Sequence, residues 1–335
     1  MKTPARVLVT GATGAVGPRV VEALCRAGYR LRTLSLEVPP PGAWPEGVTD
    51  VRVGDITDAA AVRAAVEDVD LVVHLAALLH ILNPPDALKD HYRNVNIGGT
   101  RNVAEAAMNA NVKRLLFFST IAVYGGTGGR IVDEDTPPLP DTFYARTKLE
   151  AEGIVLAAKN APGEAMGTVL RLGAVYGSRI KGNYRQLLTA LARGWFVPIG
   201  QGQNRRTLIY DKDVANAAVL ALSHPAAAGR LFNVSDGQYH TMQDIIGTVC
   251  HALRRRPPAF SLPARPVRFM AGLLEQAARR VGVKPPIAPA TIDKYTEDVA
   301  VDGRRIQSAL GFAPVYDLAA GWEDTIREMR HEGRL

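Results

Sequence analysis

Tyr144 and Lys148, within Tyr144-Ala145-Arg146-Thr147-Lys148, put a phenol and an ammonium four residues apart. On a helix two such side chains share one face. A free tyrosine, with a pKa of about 10, is a poor base at neutral pH, and a neighbouring ammonium favours its phenolate. The phenol can then exchange a proton with a hydroxyl or carbonyl group, a contribution worth roughly 10²–10⁴ in rate. Taken alone, the pair is also what an ordinary solvated helix face carries. Upstream, Phe117-Phe118-Ser119-Thr120-Ile121-Ala122-Val123-Tyr124-Gly125 places the Thr120 hydroxyl just beyond an apolar strand. Doubly wound sheets bind their ligands at that carboxyl end, so Thr120 could bond the same substrate oxygen.

A second constellation is Thr10-Gly11-Ala12-Thr13-Gly14-Ala15-Val16-Gly17, directly after the apolar run Arg6–Thr10. Glycines at 11, 14 and 17 permit a tight turn, approach of a pyrophosphate and close packing of the next helix. That helix presents free N–H groups and partial positive charge to the phosphates. A strand before the loop and a helix after it are the context that makes a glycine trio specific for dinucleotides. NAD-binding versions carry an acidic residue at the end of the second strand, to hold the ribose hydroxyls. Here that position is Ser35, with Glu37 two residues on, and NAD or NADP are both open. Asp55, in Gly54-Asp55-Ile56, is placed to touch adenine or to serve a turn.

The elements that must position these groups alternate. Strand signals fall at 6–10, 29–36, 51–53, 70–75, 114–119 and 168–172, and helical patterns at about 17–27, 58–66, 100–109 and from 144 onward. Such alternation means parallel βαβ units, and strands apolar nearly throughout are those covered by helices on both faces. After Tyr176 the rhythm breaks and prolines become denser, which predicts a smaller, irregular domain shaping a pocket. Between Pro266 and Val281, residues Val267, Met270, Ala271, Leu274, Ala277, Ala278 and Val281 form one helix face, with Arg265, Arg268, Arg279 and Arg280 off it. Two readings follow: a helix lying on anionic lipid, or a surface helix packed on its own domain, the more usual arrangement.

The chain has 335 residues, 47% hydrophobic and 22% charged, with a formal charge of +7. That balance excludes disorder as the main state, and no run of about 18 apolar residues exists to span a membrane. The basic surplus suits an anionic ligand, a nucleic acid or a membrane surface, but no zinc-finger spacing or aromatic RNA-binding motif accompanies it. Cys25 and Cys250 are too few for a disulfide scaffold or a four-thiolate zinc site. No metal is expected. With an apolar strand directly after the N-terminus in place of a signal peptide, the reading is a soluble cytoplasmic protein.

Seven segments together resemble the extended short-chain dehydrogenase/reductase superfamily, in its NAD-dependent nucleotide-sugar epimerase/dehydratase group: TGATGAVG, GDIT at 54–57, HLAA at 74–77, VNIGGT at 95–100, FFSTIAVYG at 117–125, YARTK at 144–148 and LRLGAVYG at 170–177. NRRTLIYDKDVANA at 204–217 and FNVSDG at 232–237 extend the match. The resemblance implies an α/β fold: a Rossmann-type doubly wound parallel sheet over 1–173, joined by about 204–233, with a smaller α+β substrate domain from 174–203 and 234–335. It implies Tyr144 as acid/base, Lys148 as its partner and Thr120 in the hydroxyl role. The cofactor would lie along Gly11, Thr13, Gly14, Ala15, Val16, Gly17, Ser35, Asp55, Ile56, Leu75, Ala76, Ala77 and Asn96, with Tyr144 and Lys148. The substrate would meet Thr120, Tyr144, Asn183 and Arg206.

By the same resemblance His74 is structural and Asp213 a helix cap. Dehydratases carry an Asp-Glu pair after the threonine; Ile121 and Ala122 stand there, so dehydration is not expected. Ala174 replaces an epimerase asparagine, and a second phosphate-binding arginine before Asp302 is missing, with Lys294 nearby. The segment 284–287 through Asp302 also resembles relatives acting on sterol-like substrates. The leading expectation is therefore NAD(P)-dependent epimerisation or 4-keto reduction of a nucleotide sugar such as a UDP-sugar. The alternatives are a hydroxysteroid-like dehydrogenase and a non-catalytic dinucleotide sensor. Relatives often pair through the tyrosine helix, which implies a homodimer.

Overall fold

The computed structural model describes residues 4–78, 85–280 and 288–335. The first half runs β1 (Arg6–Thr10), α1 (Gly17–Arg26), β2 (Arg30–Ser35), β3 (Val48–Val53), α2 (Ala59–Val66), β4 (Leu71–His74), α3 (Asp86–Tyr92), a π-helical turn (Arg93–Gly99), α4 (Thr100–Asn109) and β5 (Arg114–Thr120). There follow a 3₁₀ turn (Ile121–Tyr124), β6 (Ile131–Val132), α5 (Phe143–Ala157), β7 (Gly167–Leu172), β8 (Ala174–Tyr176), α6 (Asn183–Arg193), β9 (Arg205–Arg206), β10 (Leu208–Tyr210), α7 (Asp211–Ser223) and β11 (Arg230–Val234). The chain closes with β12 (His240–Thr241), α8 (Met242–Leu253), α9 (Ala264–Arg280), α10 (Pro289–Thr296), β13 (Ala300–Val301), α11 (Arg304–Leu310) and α12 (Leu318–His331).

Seven strands form one parallel sheet in the order β11-β7-β5-β4-β1-β2-β3. The chain reverses direction across the sheet between β1 and β4, the kind of switch point at whose carboxyl ends doubly wound sheets bind ligands. Val20, Val21 and Leu24 of α1, Val214 and Ala218 of α7 and Ile306 of α11 bury one face. Val62 of α2, Val103 and Ala107 of α4, and Ala151 and Val155 of α5 bury the other. Coverage on both sides explains why the inner strands read as nearly unbroken apolar runs.

Beyond the sheet, the short pairs β8–β10 and β9–β12 and the helices α6, α8 and α12 enclose a separate core of Tyr176, Leu188, Tyr210, Ile245, Val249 and Trp322. The α9 helix departs from the sequence pattern. Its inward side is the small one, Ala271 and Ala278, whereas Met270 and Leu274, placed on the packed face by periodicity, are exposed together with Phe269 and Leu273. The helix rests on α10, where Gly272 comes close to the Pro289 ring, and small side chains permit that approach. Val281 and the 284–287 segment lie outside the described residues.

Candidate active site

The glycine loop sits at the switch point. Gly11 has φ +70°, and a side chain there would stand 2.6 Å from the Ala76 nitrogen, in the Leu75–Ala77 loop after β4. A side chain at Gly17 would collide with the Ala12 carbonyl oxygen. Thr13 N–H donates to Ser35 Oγ (3.3 Å), tying the loop to the end of β2, where Ser35 is buried. The α1 helix begins after Val16 with no side-chain cap and no acidic residue in its first turn. Its amino end, beside Ala15, therefore keeps both its donors and its partial positive charge for an anion. Asp55 accepts from Thr57 N–H (2.8 Å), the turn role, while Ile56 is buried against Gly99.

Thr142 caps α5 by accepting from Ala145 N–H (3.2 Å), which fixes the helix just where Tyr144 and Lys148 project. Lys148 is buried, with Nζ 3.9 Å from the Phe117 ring centroid. Burial pulls its pKa down to about 7, Glu152 opposing the fall. Tyr144 is pushed the other way, up to about 12, by burial and then by Tyr92. This corrects the expectation that Lys148 lowers the phenol pKa in the free protein: desolvation of the phenol outweighs whatever field an ammonium half-deprotonated near neutrality exerts. Thr120 ends β5, and its Oγ1 accepts from Ala122 N–H (3.2 Å), which leaves the hydroxyl hydrogen to point elsewhere.

His74 is fully buried, and burial followed by the Lys148 charge lowers its pKa to about 3. Thr100 Oγ1 donates to Asn96 O (2.7 Å), so it accepts from His74 Nε2 (3.0 Å), and His74 Nδ1 in turn accepts from Thr10 Oγ1 (2.7 Å). The neutral imidazole thus links the end of β1 to the π-helical turn that carries Asn96. Asn96 itself is buried, accepts from Leu78 N–H (2.8 Å) and donates to Thr147 Oγ1 (3.0 Å). Thr147 Oγ1 donates to the Tyr144 carbonyl (2.8 Å). Asn96 therefore anchors the tyrosine helix to the loop after β4.

Sequence reasoning missed a buried polar layer beneath this site. Arg171 on β7 binds Glu152 on α5 through Nε (3.0 Å) and Nη2 (2.6 Å). Ser119 Oγ donates to the same carboxylate (2.5 Å), and Arg171 Nη1 donates to Tyr124 OH (2.8 Å), which donates to Asn233 Oδ1 (3.0 Å). The available signals were an arginine inside the apolar run Thr168-Val169-Leu170-Arg171-Leu172 and a glutamate four residues after Lys148.

On the substrate side, Arg206 Nη2 donates to the carbonyls of Lys294 (2.5 Å) and Tyr295 (2.9 Å), closing the end of α10. Asn183 is exposed at the start of α6, next to Tyr184, whose phenol is pushed up by burial while the Arg206 charge pulls it down. Lys294 Nζ reaches Asp141 Oδ2 (2.5 Å), one residue before the cap of α5. A cavity of about 440 Å³ opens there, lined by Asp141, Thr142, Asp293, Lys294 and Glu297 among others. Asp213 does not cap its own helix: its carboxylate accepts from Val315 and Tyr316 N–H (both 3.0 Å), pinning the approach to α12. Among the described residues no cluster of three or more His, Cys, Asp or Glu could hold a metal ion.

Comparison with known proteins places this geometry. The N-acetyl-alpha-D-glucosaminyl-diphospho-ditrans,octacis-undecaprenol 4-epimerase of Escherichia coli O157:H7 is 29% identical over 96% of this chain and 94% of its own length. The UDP-glucose 4-epimerase of Vibrio cholerae is 30% identical over 97% and 95%. A solved structure of MoeE5 in complex with UDP-glucose and NAD superposes with a TM-score of 0.77 at 25% identity, covering 98% of this chain and 99% of that one. The sequence pattern of the NAD dependent epimerase/dehydratase family matches residues 7–235, and the chain belongs to that family.

Proposed function

We propose that the protein is an NAD-dependent oxidoreductase acting at a carbinol carbon of a diphosphate-linked sugar, as a 4-epimerase or 4-ketoreductase, with Tyr144 as its acid/base. The observation that carries this reading is that the glycine loop and α5 both meet the loop after β4: Gly11 lies against Ala76, and Asn96, which accepts from Leu78 N–H, donates to Thr147 of α5. The residues present fit a dinucleotide. Gly11 and Gly17 let the loop backbone pack directly on Ala76 and Ala12 as a tight turn, and the uncapped amino end of α1 offers its N–H groups to the pyrophosphate. Ser35 and Asp55 flank the adenosine end, and the NAD held by the solved relative of like fold supports NAD as the dinucleotide.

When bound, the nicotinamide supplies the hydride acceptor and donor. Tyr144 moves the proton at the carbinol oxygen. With its pKa near 12 the free phenol starts as a proton donor, suited to the step that converts a ketone to an alcohol. Thr120 holds the same oxygen through its uncommitted hydrogen, and Lys148 holds the nicotinamide ribose. Arg206 sets its positive charge toward the diphosphate while its Nη2 grips α10. Ile121 and Ala122 put no carboxylate beside Thr120, so nothing there drives elimination of water.

Tyr144→Phe should lower kcat roughly 10²–10⁴-fold on a UDP-hexose or a polyprenyl-diphosphate sugar, with the NAD-induced thermal shift retained. Full turnover by that variant would dispose of the mechanism. Arg206→Ala should raise KM far more than it lowers kcat; unchanged KM would remove the diphosphate assignment.

A further inference from the structure

The α9 helix carries its large apolar residues on the wrong side for a protein core. At 100° per residue, Phe269, Met270, Leu273, Leu274 and Ala277 fall within a sector of about 140°. Phe269 is 68% exposed, and Met270, Leu273 and Leu274 are exposed as well. Next to this helix, Leu262 pairs with Ile199, bringing the Trp195–Val197 segment beside the entry to α9. Trp195 is 74% and Phe260 67% exposed, whereas Phe196 packs toward Tyr295.

Arginines rim this surface. Arg193 lies over the Trp195 ring (5.5 Å), and Arg255 Nη1 stands beside Gly194. Arg265 and Arg268 occupy the polar side of α9, the latter paired with Asp293 of α10 (2.6 Å). The rim continues into a cleft of about 640 Å³ between α8 and α12, lined by His251, Arg254, Arg255, Arg327 and Arg330, with Glu323 as its carboxylate.

We propose that this face docks on an anionic lipid bilayer, with Trp195, Phe260, Phe269, Leu273 and Leu274 entering the headgroup–acyl boundary and the arginine rim meeting lipid phosphates. Phe and Leu on one arc of α9, with an exposed Trp and Phe beside its entry and Arg at the rim, are the composition of a helix lying in a membrane interface. A second copy of the chain fits less well: a two-fold contact sets the patch against itself, so the surplus of arginine over carboxylate along its rim would meet a like surplus. The helix does not cross the bilayer; no helix among the described residues is long and apolar enough for that. The docking places α10, and with it the cavity lined by Lys294 and Asp141, next to the membrane.

The test uses the full chain with vesicles of phosphatidylcholine alone and of phosphatidylcholine with phosphatidylglycerol at about three to one. Co-sedimentation should occur with the anionic vesicles, and 1 M salt, where the screening length falls to about 3 Å, should weaken it. Trp195 emission should shift to the blue on binding, a change missing in Trp195→Phe, since the remaining tryptophans are the buried Trp322 and the half-buried Trp44. The double variant Phe269→Ser/Leu273→Ser removes exposed side chains and should keep its fold and NAD-induced thermal shift while binding at least about tenfold more weakly. Arg265→Glu should weaken binding about fivefold or more. Failure of the wild type to bind anionic vesicles, or equal binding by the double variant, overturns the proposal. So does a wild-type dimer that the double variant converts to monomer, since a second copy would then be the occupant.

Discussion

Lys148 shows how a single buried side chain can work against the stability of the fold. Its pKa of about 7 in the folded protein lies below the ordinary 10.5 of an exposed lysine, because burial disfavours the ammonium. The unfolded chain therefore binds this proton more tightly between pH 7 and 10.5, and stability rises with pH through that window. Below pH 7 the full penalty is in force. Lys148→Met should accordingly stabilise the protein at pH 6 by on the order of 3–5 kcal/mol, a gain that fades toward pH 10, while turnover is lost. Urea titrations at both pH values check this, and equal gains at the two would contradict the burial account. At this scale the sequence was informative about which residues meet, and uninformative about their titration. The Tyr144–Lys148 spacing was legible because a helix brings positions four apart together. The direction of the phenol shift was not, because it depends on how deeply α5 is buried.

The α5 element is fixed from three sides: by the Thr142 cap, by Asn96 through Thr147, and by the ion pair between Glu152 and Arg171. A buried pair of this kind makes little net contribution relative to apolar residues, yet removing one partner strands the other charge. Glu152→Ala should destabilise the protein by about 3–5 kcal/mol, and Glu152→Leu/Arg171→Met should lose much less. Thermal denaturation of the three proteins distinguishes the cases; a double variant as unstable as the single one would show that the surrounding hydroxyls, not the charge, set the penalty. The alternating strands and helices of the first half were readable from apolar runs and turn residues. Glu152 and Arg171 were not, since they lie on different elements and a single charged residue inside an apolar pattern announces no partner. The orientation of α9 was misread for a related reason. Periodicity finds an apolar arc, but Ala271 and Ala278 and the larger Phe269 and Leu273 lie on adjoining parts of it, and only the neighbour α10 decides which part is covered.

For the molecule as a whole, the proposed site draws on parts distant in sequence: the loop at 11–17, the turn carrying Asn96, Thr120 and the face of α5. A ligand that bridges such parts stabilises the folded state by mass action. NAD at about 100 times its Kd should add about 2.7 kcal/mol, read as a rise in Tm. Gly17→Ala, whose new methyl would meet the Ala12 carbonyl, should abolish that rise even if the variant folds. A Gly17→Ala protein that keeps the full NAD-dependent rise would move the dinucleotide away from this loop. Beyond Tyr176, local patterning yields an irregular region and one amphipathic helix, and only the family resemblance joins about 204–233 to the sheet. The short strands there and the aromatic stack of Tyr176, Tyr210 and Trp322 owe their order to tertiary contacts that no local pattern encodes.

The hydrogen-bond line from Thr10 through His74, Thr100, Asn96 and Thr147 to the Tyr144 backbone has a consequence for acid tolerance. Its one ionisable member stays uncharged down to about pH 3, so every link keeps its donor and acceptor sense across the cellular range. Acidification that alters the charge of Lys148 therefore leaves intact the hydrogen-bonded line that holds the Tyr144 backbone in place.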